Sequence, residues 1–357
     1  MLGINIQATG YNSAHLTHSY FPPPMHLKEI KHRLRTLGAK PCHEQRLFRN
    51  WLHSRPLDSG RGWSKHRLPQ KLQAALPAIA EELHSLARIH TKHTDNDSST
   101  RLLVKLADGQ MVESVLLPRN GLCISTQIGC AVGCVFCMTG QDGLLRQLSS
   151  AEIAAQVVLA RSLRDVRNVV FMGMGEPAHN LDNVLEAIEL LGTLGAIAHK
   201  NLVFSSVGDR RMFERLPQGN VKPALALSLH TTSAELRRKL LPRAPDIDPV
   251  ELVELSEEYA RTIGYPIQYQ WTLLQGINDS DEELKNIVKL LKGKYAILNL
   301  IPYNQITSLN FNRPSQERAE AMASYLNQRG IFTKLRNSVG QDIDGGCGQL
   351  RARALGD

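Results

Sequence analysis

The sequence predicts an α/β chain: a partial (βα)6-type barrel, preceded by a small N-terminal helical domain and a short β-hairpin extension. Two observations carry this. After Gly121, short apolar runs (LCIST, NVVFMG, NLVFSS, ALALSLH, IQYQWTLL, AILNLIP and IFTKLR) alternate with helical segments such as AEIAAQVVLARSLRD and DEELKNIVKLLKG. Strand–helix alternation implies parallel strands joined by right-handed crossovers, and six or seven such units over roughly 220 residues fit a barrel or partial barrel. Ahead of them, LKEIKHRLRTLG, HEQRLFRNWLHS and LPQKLQAALPAIAEELHSLARIHT have helical periodicity, and RLLVKLADGQMVESVLLP reads as a hairpin turning at Asp-Gly.

In chain order, residues 1–24 read as a poorly ordered leader ending in Pro-Pro-Pro, and 25–93 as a helical, basic accessory domain. Residues 94–120 form linker and hairpin, 121–336 the barrel, and 337–357 a C-terminal loop and tail. Hydrophobic residues make up 42% of the chain and charged ones 21%, as in a soluble globular protein. No apolar window is long enough to span a bilayer, and the N-terminus lacks the pattern of a signal peptide. A cytoplasmic protein without membrane contact is expected.

The net charge is +8, and it is concentrated. Between Leu27 and Lys71 twelve Lys/Arg, among them Arg46, Arg49 and Arg55, stand against three Asp/Glu, with Phe48, Trp51 and Trp63 interleaved. Cations among aromatics suit a phosphate backbone and stackable bases. A solvated helical surface whose aromatics face the core has the same pattern.

The chain has six cysteines, and three of them fall within GCAVGCVFCMTG as Cys130, Cys134 and Cys137, spaced C-x3-C-x2-C. In the cytoplasm such a cluster is for ligation or catalysis rather than disulfides. Thiolates bind zinc or iron–sulfur clusters. Zinc would need a fourth ligand nearby, whereas three cysteines on a 4Fe-4S cube leave one iron open, the arrangement that S-adenosylmethionine (SAM) chelates in radical SAM enzymes. Downstream, NVVFMGMGEP ends a strand with Gly175 and Glu176, where backbone can approach a ligand and a carboxylate can accept from an ammonium. Ser205, Ser228, His230 and Asn304 put polar groups at three further strand ends, which suggests one shared pocket.

CISTQIGCAVGCVFCMTG, FMGMGEP, ALSLH, LLQGINDS, LNLIPYN and DIDGGCGQL follow one another as in the radical SAM RNA adenosine methyltransferases of the RlmN/Cfr family, which the chain resembles from about Val104 to Leu350. The resemblance implies a radical SAM barrel in which Cys130, Cys134 and Cys137 hold the cluster and Gly175, Glu176, Ser205, Ser228, His230 and Asn304 bind SAM. It implies that Cys347 carries the methyl group as S-methylcysteine. Cys123 is then the resolving thiol, forming a transient disulfide with Cys347, and Glu113 the proton acceptor. Such chemistry suits an adenine carbon, which is too poor a nucleophile to take a methyl group directly from SAM. Two SAM are used per turnover. The implied partners are ribosomal or transfer RNA and an electron donor such as flavodoxin or ferredoxin, with the chain a monomer.

KPCHEQRLFRNWLHSRP, LPRAPDID and RNSVGQDIDGG depart from the family pattern, so the RNA and the choice of carbon 2 or carbon 8 stay open. So do two other functions, a radical SAM enzyme acting on a non-RNA substrate and a non-enzymatic RNA-binding protein containing zinc.

Overall fold

The structure is a computed structural model that describes residues 26–59, 67–306, 308–336, 345–346 and 348–352. The expected leader, Trp63 and Cys347 lie outside the described residues.

Three helices lead: α1 (Leu27–Thr36), α2 (Pro41–Leu52) and α3 (Gln70–Ser85). Each buries one stripe, such as Leu27, Ile30 and Leu34 on α1. Helical structure stops at Ser85, short of residue 93, and Arg88–Thr94 forms a strand, β1. Arg88, Ile89, His90, Thr91 and Thr94 include the β-branched residues that favour extended backbone. β2 (Thr100–Lys105) and β3 (Met111–Leu117) complete an antiparallel set with β1, and β3 pairs antiparallel with β4 (Gly121–Cys123). The hairpin extension is therefore continuous with the barrel sheet.

From β4 onward the strands run parallel in chain order: β7 (Asn168–Phe171), β8 (Leu202–Ser206), β9 (Ala224–Ser228), β10 (Ile267–Leu273), β11 (Ala296–Pro302) and β12 (Thr333–Leu335). All seven match apolar runs of the sequence. A separate hairpin, β5 (Gln127–Gly129) with β6 (Leu144–Gln147), carries the cysteine loop between its strands. Helices α4 (Ser150–Arg161), α5 (Leu181–Thr193), α6 (Arg210–Arg215), α7 (Ala234–Leu240), α8 (Pro249–Ile263), α9 (Asp281–Leu291) and α10 (Gln316–Gln328) supply the crossovers. In the ten-stranded sheet β1 and β12 are both edges, so the barrel is partial.

Strand β10 shows how the sheet is divided between core and site. Ile267, Tyr269, Trp271 and Leu273 are fully buried, while the alternating Gln268, Gln270 and Thr272 lie on the opposite face. The apolar set joins the core beneath the helices, and Gln270 and Thr272 reach the central cavity. That core is continuous with the helical domain, running from Leu27, Leu47 and Leu72 through Ala154 and Val157 to the strands. Among the described residues no helix is long and apolar enough to cross a membrane.

Arg161, at the end of α4, ties the two parts together. Its Nη1 donates to the Leu52 carbonyl at the end of α2 (2.8 Å) and its Nη2 to the Gly195 carbonyl beyond α5 (2.8 Å). Charged hydrogen bonds of this kind contribute about 1.5–3 kcal/mol each, so Arg161→Ala should lower stability by about 3 kcal/mol, read as an earlier midpoint in urea. Limited proteolysis of the variant should release the helical domain before the barrel.

Candidate active site

One cavity opens at the C-terminal ends of β7 to β11. Its wall contains Cys130, Cys134 and Cys137, together with Gly175, Glu176, Ser205, Ser228, His230 and Asn304. The nine residues that the sequence assigns to cluster and SAM are thus brought to one place. The space not filled by atoms amounts to about 990 Å³, including the solvent at its mouth.

The cysteine loop is shaped by close backbone approach. Gly129 has φ +75°, and a Cβ there would stand 2.0 Å from the Gly143 carbonyl oxygen, so only glycine fits. The Cys130 amide donates to that carbonyl (2.9 Å), Cys137 N–H donates to the Cys134 carbonyl (3.0 Å), and Val135 N–H to the Leu240 carbonyl (3.1 Å). Burial pushes the Cys130 thiol up to about 12, and neighbouring negative charge at Glu176 and Cys137 adds to this. Cys134 and Cys137 are raised by burial as well, Cys134 with further contributions from Cys137 and Cys130. Three thiols that resist ionising alone, Cys130 buried and Cys134 and Cys137 half-buried, are suited to a cationic centre, which deprotonates its ligands outright.

Among the described residues no three His, Cys, Asp or Glu side chains are gathered closely enough to hold a single ion. A single zinc draws its sulfurs to about 2.3 Å from one point. A cluster does not, because each thiolate takes a different iron, and the three residues fit it better.

Beside the cysteines, Glu176 is buried, and burial raises its carboxyl above the usual range. Its Oε1 accepts from Ala178 N–H and its Oε2 from Val207 N–H, both at 3.0 Å. Gly175 precedes it at φ +103°, where a Cβ would collide with Gln127 at 2.5 Å. His230 also has a left-handed backbone (φ +63°), an uncommon state for a side chain of this kind and one found at functional sites. Its Nδ1 accepts from Thr272 N–H (3.0 Å), leaving Nε2 to carry the proton of the neutral ring. Burial, with Arg237 nearby, lowers His230 to about 3, so the ring is neutral at physiological pH.

A second group stands on the hairpin side. Glu113 is fully buried rather than a surface residue, with Oε1 3.0 Å from Arg101 Nη1 and Oε2 accepting from the Arg351 amide at 2.8 Å. Val115 is opposite Cys123 in the β3–β4 ladder, and strand alternation puts Glu113 on the same face as Val115. The C-terminal segment is fastened to this region and to the cluster loop. Met138 N–H donates to the Gly348 carbonyl (2.8 Å), Thr139 Oγ1 to the Leu350 carbonyl (2.7 Å), and Arg351 pairs with Asp142 (2.9 Å). Gly348, Leu350 and Arg351, which follow Cys347, are therefore held beside the cysteine loop and Glu113. No disulfide joins two of the described residues, and the one expected between Cys123 and Cys347 involves a residue outside them.

Sequence reasoning missed the buried amides that hold these parts. Gln156 accepts from Ser114 Oγ (2.8 Å) and Ser125 N–H (2.9 Å) and donates to the Ser125 carbonyl (2.9 Å), fixing the exit from β4. Gln127 Oε1 accepts from Glu176 N–H (2.7 Å). Asn278 donates to the carbonyls of His230 and Thr272 (2.8 Å each). The available signal was polar residues inside CISTQIG and LLQGINDS, and Arg101 directly before the apolar run of Leu102, Leu103 and Val104.

In the helical domain Phe48 and Trp51 are buried and cannot stack with bases. Arg35 pairs with Glu44 (2.6 Å), Arg33 with Glu82, and Arg46 donates to the carbonyls of Asp58 (2.7 Å) and Ser59 (3.3 Å). Arg49 and Arg55 are exposed.

Residues 124–291 match the Radical SAM superfamily. A probable RNA methyltransferase of Aromatoleum aromaticum is 70% identical over 331 residues, 93% of each chain. One from Thiobacillus denitrificans is 67% identical over 331 residues, covering 93% of this chain and 91% of its own. A radical SAM methyltransferase from Sphaerobacter thermophilus, known from a crystal structure, aligns with a TM-score of 0.78 at 31% identity, covering 92% of this chain and 98% of that one. The chain belongs to the family of radical SAM methyltransferases that these proteins represent. Its cofactors are those of the superfamily, a 4Fe-4S cluster and SAM.

Cys134→Ala should prevent stable cluster assembly, because a cube held by two thiolates is labile. After anaerobic reconstitution the variant should lack both the brown absorbance and the iron content of the unaltered protein. Retention of both would show that the ligands are wrongly assigned.

Proposed function

We propose that this protein methylates carbon 2 or carbon 8 of an adenine in RNA, using two SAM per turnover and a methyl group carried on Cys347. RNA is supported by the names of relatives at 70% and 67% identity. The methyl-cysteine route is supported by one observation above the others: the backbone that follows Cys347 docks on the cysteine loop through Gly348 and Leu350 and on Glu113 through the Arg351 amide, and Glu113 shares its sheet face with Cys123.

When bound, the cluster and SAM supply a methyl group and a radical able to remove hydrogen from carbon. Cys130, Cys134 and Cys137 hold the cluster. Glu176, His230, Asn304 and the serines of the strand ends orient SAM, with His230 offering an Nε2 donor. The Cys347 thiolate takes the methyl group, and loss of one hydrogen leaves a carbon radical that adds to the adenine. The adduct radical gives up one electron, which the cluster would take back when bound, and Glu113 takes the proton from the substituted carbon; each carboxylate oxygen has lone pairs beyond those already engaged. The Cys123 thiolate then attacks the sulfur of Cys347, the carbon–sulfur bond breaks with its electron pair going to carbon, and that carbon takes a proton to release methyladenine. An electron donor of the flavodoxin or ferredoxin class would reduce the cluster, two electrons from a thiol reductant reopen the disulfide, and the chain works as a cytoplasmic monomer.

Nucleoside mass spectrometry of ribosomal and transfer RNA tests this. Cells lacking the protein should lose one adenosine carrying an added methyl group, and restoring the protein should return it. The two cysteines should fail differently. Cys347→Ala should yield neither methylated protein nor modified RNA. Cys123→Ala should accumulate protein linked to RNA through Cys347, a band that nuclease shortens. Normal turnover in Cys123→Ala would overturn the assigned roles.

RNA contacts in the helical domain are best sought at Arg49 and Arg55, since Arg46 is engaged with its own loop. Neutralising both should flatten the salt dependence of RNA binding by about 0.7 in log–log slope per lost single-strand contact. An unchanged slope would make the patch a solvated surface.

A further inference from the structure

Behind the cofactor wall lies a cation that neither the motifs nor the relatives single out. Arg237, in α7, is 4% exposed. Its Nη2 donates to the Val207 carbonyl and contacts the Ser228 carbonyl at 3.5 Å. Val207 follows the last residue of β8 and Ser228 ends β9, and both line the cavity. Its Nε is buried with no hydrogen-bond partner among the described residues. Burial brings the guanidinium down to about 10, still charged at neutral pH, with Cys134, then Glu176 and then Asp246 acting to keep it so. The same charge contributes to the lowering at His230. Cys134, Glu176 and His230 therefore all feel one positive charge from behind.

A buried cation with a spare donor is costly where only two carbonyls need a partner, because a neutral amide could serve them. The cost makes sense if negative charge gathers opposite. Cys130, Cys134, Cys137 and Glu176 line the same cavity; SAM would bring a carboxylate of its own, and reduction of the cluster would add one electron more.

We propose that Arg237 is a positioning residue of the cofactor pocket, whose charge favours the reduced cluster and whose fork holds the ends of β8 and β9 in place for SAM. The cation lies on the pocket side of the protein, where its field acts through a low-dielectric interior. Charge and hydrogen bonding around the sulfurs are among the levers that set cluster potentials. The inference depends on the superfamily's cofactors and not on the RNA substrate, so the two can fail separately.

The test uses the reconstituted full chain without RNA. Arg237→Gln keeps a donor and removes the charge; Arg237→Lys keeps the charge and loses the planar fork. Midpoint potentials are measured by redox titration followed by electron paramagnetic resonance, and SAM affinity by equilibrium dialysis. The Gln variant should have a more negative midpoint than the unaltered protein, and the Lys variant an unchanged one. SAM should bind the Lys variant about tenfold more weakly, the loss expected for one charge-assisted hydrogen bond. An unaltered midpoint in Gln, or equal shifts in Gln and Lys, would overturn the proposal. Should the Gln variant not fold, Lys decides alone: a shifted midpoint or unweakened SAM binding would overturn it.

Discussion

Parallel pairing of seven strands in chain order is the constraint on which everything else depends. Right-handed crossovers send every chain direction the same way, so β4 and β7 to β12 all end on one rim. Alternation then divides the labour. In β10, Tyr269 and Trp271 seal the sheet against its helices, and Gln270 and Thr272 face the cavity. Ser228 and Gln270 are ladder neighbours, so two strands place adjacent polar groups at the same height.

Upon that rim, buried side-chain amides do what loops cannot do alone. The exit from β4 runs through an interior where unpaired backbone groups would be expensive, and Gln156 meets both the amide and the carbonyl of Ser125. Asn180 donates to the carbonyls of Thr126 (2.8 Å) and Leu148 (2.7 Å). Asn278 does the same for His230 and Thr272, and so stabilises the unusual backbone at His230. The cysteine loop thus projects from a rigid base.

The barrel strands were legible in the sequence because each is a short apolar run between polar segments, a pattern local enough to see. So were the cysteines and the Gly-Glu turn, since their spacing lies along the chain. Arg101 with Glu113 and Arg237 with the ends of β8 and β9 were not legible as pairs. Both partnerships arise from the sheet's register and the crossovers, which the chain records only indirectly. The end of the helical domain was misplaced for a related reason: SLARIHT continues a helical pattern, but pairing with β2 draws Arg88–Thr94 into the sheet. Phe48 and Trp51 likewise show tertiary packing deciding what a basic, aromatic-rich segment can offer to solvent.

The docked C-terminal segment has a thermodynamic consequence. Gly348 lines the same cavity as the three cysteines, and a Cβ at Gly346 would stand 2.6 Å from Asn304 Nδ2. Tail and pocket therefore share a boundary, and their equilibria are linked. Whatever free energy a ligand gains from finding the tail in place, the tail gains equally in being held there by the ligand. Filling the pocket and closing it are one event described from two sides.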